Sequence, residues 1–177
     1  MKHITEKEAI SLLKKYSPDE RVFKIVLNHV KAVQKKALAM AQGIPGLDLE
    51  LIKIGSLLHD IGRFKTGPGP KGIRHGVIGG EILRKEGVGQ YASIAECHIG
   101  AGIRKEDIEK QKLDLPLKDF IPETKEEKIV AQADNYIFGD KEAPFEKVLE
   151  RFEKELGHDY AERVKRMQKE IDGMKEE

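Results

Sequence analysis

The stretch Ile54-Gly55-Ser56-Leu57-Leu58-His59-Asp60-Ile61-Gly62-Arg63 constrains this chain most, because it sets an imidazole and a carboxylate side by side inside an apolar run. Burying either group costs free energy unless something pairs with it. A divalent metal pairs with both at once, since Asp offers an anionic oxygen and His a neutral nitrogen. A helix C-terminus would also account for the run: His59 touching the last carbonyls, Asp60 starting the turn and Gly62 stopping the helix. The rest of the chain decides between these readings.

Capping signals and apolar spacing predict helices almost throughout. Thr5 with Glu8 forms a capping box for a helix reaching about Tyr16, with Ala9, Ile10, Leu12 and Leu13 inward. Ser17 reads as the next N-cap, with Pro18 at the first helical position and Glu20 closing the box. The helix that follows carries Val22, Val26, His29, Val30, Val33 and Ala37 on one face. Asp48 opens a third, which ends at His59-Asp60. Residues 63–76 read as a long Gly/Pro loop, the signature of a lid, a binding loop or a mobile segment. Helices over about 75–86 and 90–98 lead to a break at Gly100-Ala101-Gly102, and residues 113–122 read as an irregular connector. Thr124 with Glu127 caps a helix carrying Ile129, Val130, Ala133, Asp134, Ile137 and Phe138. Two amphipathic helices finish the chain, one striped by Phe145, Val148, Leu149, Phe152 and Leu156, the other by Tyr160, Val164, Met167 and Ile171. No alternating β-branched run marks a strand, so the fold class is all-α.

The 177 residues suit one domain, with a core pattern over about 22–138 and a C-terminal helical appendage at 144–172. With 32 Lys plus Arg against 31 Asp plus Glu, the charge is nearly balanced, which argues against a general nucleic-acid or membrane binder. The single Cys97 excludes an internal disulfide and fits a reducing compartment. No apolar run is long enough to span a bilayer, and Met1-Lys2-His3-Ile4-Thr5-Glu6 has no signal-peptide character. A cytoplasmic protein is expected.

Six ligand-type residues fall where a solvent face does not. His29 sits on the apolar stripe three residues after Val26; His59 and Asp60 end an apolar helix; Asp134 shares a face with Val130 and Ile137. His98 follows Cys97 at the inner end of a helix, and His75 starts a helix after the Gly/Pro loop. A lone core histidine is usually just hydrogen-bonded. A carboxylate on an apolar face is harder to dismiss, because unpaired it costs several kcal/mol, very roughly, or must protonate. A second His-Asp pair, His158-Asp159, follows Gly157 with no apolar run before it, and Asp159 reads as a helix N-cap.

The pattern His29 … His59-Asp60 … Asp134 resembles the HD-domain metal-dependent phosphohydrolases, and Leu57-Leu58-His59-Asp60-Ile61-Gly62-Arg63 is similar to the HDIG form of their signature. The resemblance covers about Val22 to Phe138 and implies an HD-domain helical bundle; the first helix and the C-terminal helical hairpin lie outside that core pattern. It implies that His29, His59, Asp60 and Asp134 bind one divalent metal. In the dinuclear branch further histidines add a second ion. His75 and His98 are similar to those, either as ligands to a metal bridged by Asp60 or as phosphate contacts, and Asp60 is the expected catalytic residue. The runs Ala95–Gly100 and Glu127–Asp134 look most like the dinuclear dinucleoside-polyphosphate hydrolases. Two departures narrow the substrate. No acidic residue follows the doublet within Ile61–Lys65, against the 5′-deoxynucleotidases, and no Gly-Tyr-Pro signature is present, against that branch of cyclic dinucleotide phosphodiesterases.

The chemistry implied is hydrolysis of a nucleotide or other phosphate ester by metal-activated water. An imidazole and carboxylate donor set suits Mn, Fe, Co, Ni or Zn, as one or two ions. Arg63, Lys71 and Arg74 flank the doublet as candidate phosphate contacts for a small phosphorylated substrate. Two rivals stand beside this reading: a metal- and nucleotide-binding regulatory module without significant turnover, and a structural role in which the C-terminal stripes form a homodimer surface.

Overall fold

The computed structural model describes residues 3–67 and 70–175, the side chains of Pro70 and Lys71 excepted. The chain is an all-α bundle. Helix α1 (Glu6–Tyr16) starts from the expected capping box, in which the Thr5 main-chain N–H and hydroxyl both bond the Glu8 carboxylate. Helix α2 (Glu20–Ala41) is capped by Asp19, whose Oδ1 accepts from the Val22 N–H at 2.8 Å, and not by Ser17, whose hydroxyl turns to the Asp19 carbonyl. Both residue types cap well, and the register of the apolar stripe chooses between them.

Helix α3 (Leu49–Leu58) is the central element, with Ile52, Ile54, Gly55, Ser56, Leu57 and Leu58 all buried. Its second half, residues 54–58, is buried all round and needs neighbours on every side. α2 packs along one side of it, and on another Gly55 admits Ile94, whose Cδ1 would lie 2.4 Å from any Cβ placed there. The predicted long loop is largely helical. A single turn, α4 (Arg63–Thr66), is followed by a 3₁₀ segment over Pro70–Arg74 that runs straight into α5 (His75–Lys85). Helix α6 (Ala92–Cys97) lies close against α5, with Gly76, Gly79 and Gly80 at the contact. A Cβ on Gly76 would meet the Ala95 carbonyl at 2.7 Å, so the close packing requires glycine.

Helix α7 (Lys105–Gln111), unanticipated from sequence, presents only Ile108 to the core. Helix α8 (Lys125–Tyr136) opens on the expected Thr124–Glu127 box. It then runs into a two-residue hairpin, β1 (Ile137–Phe138) against β2 (Lys141–Glu142), too short to show an alternating pattern. Helices α9 (Phe145–Leu156) and α10 (His158–Gly173) fold back on α8. Their stripe residues Val148, Phe152, Val164, Met167 and Ile171 join one apolar cluster with Val33 and Ala37 of α2 and Ile129 and Val130 of α8. These five residues are therefore covered within the chain, while Leu156 at the end of α9 stays exposed. Asp159 lies in the first turn of α10 and Gly157 holds the cap position. None of the helices among the described residues is long and apolar enough to cross a membrane.

Candidate metal centre

The six predicted ligand residues converge from five helix ends and faces. His29 comes from α2, His59 and Asp60 from the turn that ends α3, His75 from the first residue of α5, His98 from the end of α6 and Asp134 from α8. Gly62 is what lets the α3 turn reach α5. It has ordinary helical φ, so it is no left-handed helix stop; a Cβ there would lie 1.9 Å from the His75 carbonyl oxygen and 2.7 Å from the Gly79 nitrogen. The residue after Asp60-Ile61 is thus pressed on the backbone that carries His75.

All four imidazoles are oriented in the same way. Nδ1 of His29 faces the Gly139 carbonyl at 2.6 Å, that of His59 the Ser56 carbonyl at 2.6 Å, that of His75 the Gly72 carbonyl at 2.5 Å and that of His98 the Ala95 carbonyl at 2.7 Å. A carbonyl only accepts, so each Nδ1 carries the proton and each neutral ring presents an Nε2 lone pair inward. The hairpin serves this purpose for His29, because Gly139 is its turn residue, at φ 67°.

The inward atoms sort about the two oxygens of Asp60. Oδ2 lies 3.4 Å from His29 Nε2 and 3.8 Å from His59 Nε2, and Asp134 Oδ1 lies 3.0 and 3.6 Å from the same two nitrogens. Oδ1 lies 3.2 Å from His75 Nε2 and 3.4 Å from His98 Nε2. The donor atoms of His29, His59 and Asp134 lie within 4.8 Å of one another, as do those of His59, Asp60 and His98. His29 Nε2, His59 Nε2 and Asp60 Oδ1 are buried without a well-aligned hydrogen bond. His75 and His98 point their Nε2 atoms at each other across 2.9 Å. Two lone pairs at that distance call for a cation or a proton between them, and the His/Asp donor set around Asp60 fits a divalent metal.

The electrostatics agree. Burial alone would raise the Asp60 carboxyl, but His59, His75, His98 and Arg63 around it hold it well below the usual carboxylate range. Asp134 is held down likewise, its burial outweighed by His29 and His59. Burial opposes a charge on His29, yet Asp134 and Asp60 beside it push its pKa up to about 9. His98 goes the other way, lowered to about 4, chiefly by burial. The Arg63 guanidinium donates from Nε to Asp60 Oδ2 at 2.5 Å.

These groups open into a cleft of about 680 Å³. Its inner end is the His/Asp cluster, and its walls include Ile25, Ile99, Phe138 and Phe152. Of the predicted phosphate contacts whose side chains are described, Arg63 lines it and Arg74 does not. Arg74 turns away to Asp114 at 3.3 Å, drawn by a carboxylate in the connector, and the Lys71 side chain lies outside the described residues. Cys97 is buried and does not line the cleft; burial raises its thiol, which marks it as an inert core residue. His158 is exposed, 3.2 Å from Glu153. Sequence reasoning missed Arg151 of α9, whose guanidinium reaches the cleft wall. The one available signal was its place beside Phe152 on the inward stripe.

The HD domain family model matches residues 26–139. The chain is 46% identical over 158 residues to the uncharacterized protein MJ0778 of Methanocaldococcus jannaschii, covering 86% of this chain and 87% of that one. It is 41% identical over 167 residues to a tRNA (cytidine(56)-2'-O)-methyltransferase of Picrophilus torridus and 42% identical over 165 residues to that of Thermoplasma volcanium. These matches cover 94% and 93% of this chain but 46% of each methyltransferase, so the chain spans a little under half the length of those two relatives. Among solved structures, the HD domain of the phosphodiesterase PgpH from L. monocytogenes, in complex with cyclic-di-AMP, superposes with a TM-score of 0.55 at 19% identity, over 94% of this chain and 95% of that one. That likeness is one of fold. The chain belongs to the HD-domain family.

Proposed function

We propose that this chain is a metal-dependent phosphohydrolase acting on a small phosphorylated substrate, with nucleotides the leading class. One observation carries the reading: four imidazoles, each with Nδ1 tied to a main-chain carbonyl, turn Nε2 toward the carboxylates of Asp60 and Asp134. His29, His59, Asp134 and Asp60 Oδ2 would hold one ion, and His75, His98 and Asp60 Oδ1 a second, with Asp60 shared. Bound there, divalent ions of the Mn, Fe, Co, Ni or Zn kind supply water of lowered pKa and polarise a phosphoryl oxygen, so that a P–O bond to the leaving group is exchanged for one to water.

The chain's own residues do the rest. Asp60 fixes the spacing of the two halves of the site, and the four carbonyls fix the ring orientations. Arg63 holds Asp60 through Nε, which leaves its terminal N–H groups for a phosphate entering the cleft. The apolar walls exclude water from the far end of the substrate.

Metal content tests the reading, on protein purified without chelator or affinity-tag nickel. About two transition metals per chain are expected, falling to about one in His98→Ala and lower still in His59→Ala, together with metal-dependent release of phosphate from a panel of nucleotides. About one ion, kept in His98→Ala, would make His98 a phosphate contact and bring monoesters forward. No metal after reconstitution with each of the five would overturn the reading.

A second reading draws on the relatives. The Picrophilus and Thermoplasma methyltransferases carry a stretch like this whole chain within a protein about twice its length. A domain coupled to another enzyme in that way suits a metal- and nucleotide-binding regulatory module. Tight nucleotide binding with no multiple turnover would favour it.

A further inference from the structure

Among the described residues, two guanidinium groups line the cleft. Arg63 is committed to Asp60. Arg151 is not committed to any carboxylate. Its guanidinium carbon lies 4.3 Å from the Phe138 ring centroid and 5.0 Å from that of Phe152, and its one hydrogen bond is a long one, 3.5 Å from Nη2 to the Asn135 carbonyl. Asp140 on the hairpin turn also lines the cleft and makes no ion pair with it. Arg151 is half-buried, and burial lowers its pKa despite the attraction of Asp134 and Glu155. Two aromatic faces fix the plane of the guanidinium and leave an N–H edge free. A planar cation, half-buried, oriented and without an ion-pair partner among the described residues, is arranged to receive an anion with two oxygens to offer.

Arg151 stands on α9, beyond the residues 26–139 that match the HD domain, so this wall of the cleft is added to the family core by the C-terminal hairpin. We infer that Arg151 is a specificity-determining residue. It binds a second anionic group of the substrate, a phosphate or a carboxylate, while the phosphoryl group to be cleaved sits at the His/Asp cluster. This rests on the phosphohydrolase reading above. It makes the preferred substrate a compound with two anionic groups instead of a simple monoester.

The test compares three probes in calorimetric titrations of manganese-loaded protein, with free manganese held constant and metal content measured before and after. Inorganic phosphate has one anionic group. Methylenediphosphonate adds a second phosphorus and phosphonoacetate a carboxylate, and neither can be hydrolysed. The wild type is expected to bind at least one of the two longer probes about tenfold or more tighter than phosphate, and whichever gains identifies the second group. Arg151→Met, which keeps the stem packed between the rings, should abolish that preference while phosphate affinity stays within about twofold, and Arg151→Lys should retain part of it. Equal affinity for all three probes in the wild type, or a preference that survives Arg151→Met, would overturn the inference. Loss of metal in both variants would also overturn it, by making Arg151 a packing residue. A wild type that takes up none of the five metals and no phosphate would fail the phosphohydrolase reading itself, and the inference with it.

Discussion

Four imidazoles crowded into one pocket can satisfy their Nδ1 atoms from the main chain, but their Nε2 atoms need something with positive charge. In the metal-free protein that something is a proton. His29, raised to about 9, carries it at neutral pH, whereas His98, lowered to about 4, stays neutral. Metal must displace the His29 proton, so apparent metal affinity is expected to rise by up to about tenfold per pH unit between roughly pH 7 and 9, and to level off above that. Equilibrium competition with a chromophoric chelator at pH 7, 8 and 9 measures this directly; a flat profile would remove His29 from the ligand set. The folding linkage of the metal-free protein has the opposite sign. A histidine whose folded pKa lies above its unfolded value of about 6.5 contributes stability that is complete below that value and lost as pH climbs through about 9. Metal-free protein should therefore lose thermal stability from pH 6.5 to 9, while loaded protein should not. At this scale the sequence was informative, because His29, His59, Asp60 and Asp134 stand on apolar faces where solvation cannot explain them. Arg151 was illegible for the converse reason: on a helix with a charge at most positions, one more arginine looks like solvated surface until the fold shows the rings on which it lies.

Elements deliver these residues through close contacts, and at Gly62 and Gly76 the contact is with backbone, which only glycine allows. The α3 turn presses Gly62 on the His75 carbonyl, and the α5–α6 contact is lined by Gly76, Gly79 and Gly80. In Gly62→Ala the new methyl would meet backbone at 1.9 Å, so α5 must shift and take His75 with it. A cost of about 1–3 kcal/mol is expected, seen as a melting temperature lower by roughly 3–10 °C. On the proposed two-ion reading, the ion assigned to His75 and His98 should weaken more than the one assigned to His29, since His75 moves and His29 does not. Gly173→Ala near the end of α10 is the contrast. Nothing lies within 4 Å of its Cβ position, and its φ is not positive, so its melting temperature should hold or rise slightly. The capping boxes of α1 and α8 were legible because side chain and backbone answer each other within four residues. The hairpin that anchors His29 was not, since a two-residue strand has no period, and α7 was missed because one buried Ile108 makes no stripe.

At the scale of the whole molecule, the question is whether the hairpin of α9 and α10 decorates the domain or completes it. The match to the HD domain stops at residue 139, which suggests a detachable extension. The apolar cluster suggests otherwise. Val148, Phe152, Val164, Met167 and Ile171 are each less than a tenth exposed, packed in one body with α2 and α8, the helices that carry His29 and Asp134. Burying five such side chains contributes on the order of 10 kcal/mol before entropic costs, which is comparable to the entire stability of a domain of this size. Amphipathic stripes could equally have met a second copy, and periodicity alone cannot tell the two cases apart; here the short Gly157 turn returns α10 to its own α8. A chain truncated after Ala143 is therefore expected to fail as an independent unit, recovered as aggregate or as a species with helical far-ultraviolet dichroism but no cooperative thermal transition. A truncated chain that melts cooperatively within a few degrees of the parent, and still binds manganese, would show that the hairpin only adds the Arg151 wall to a core complete without it.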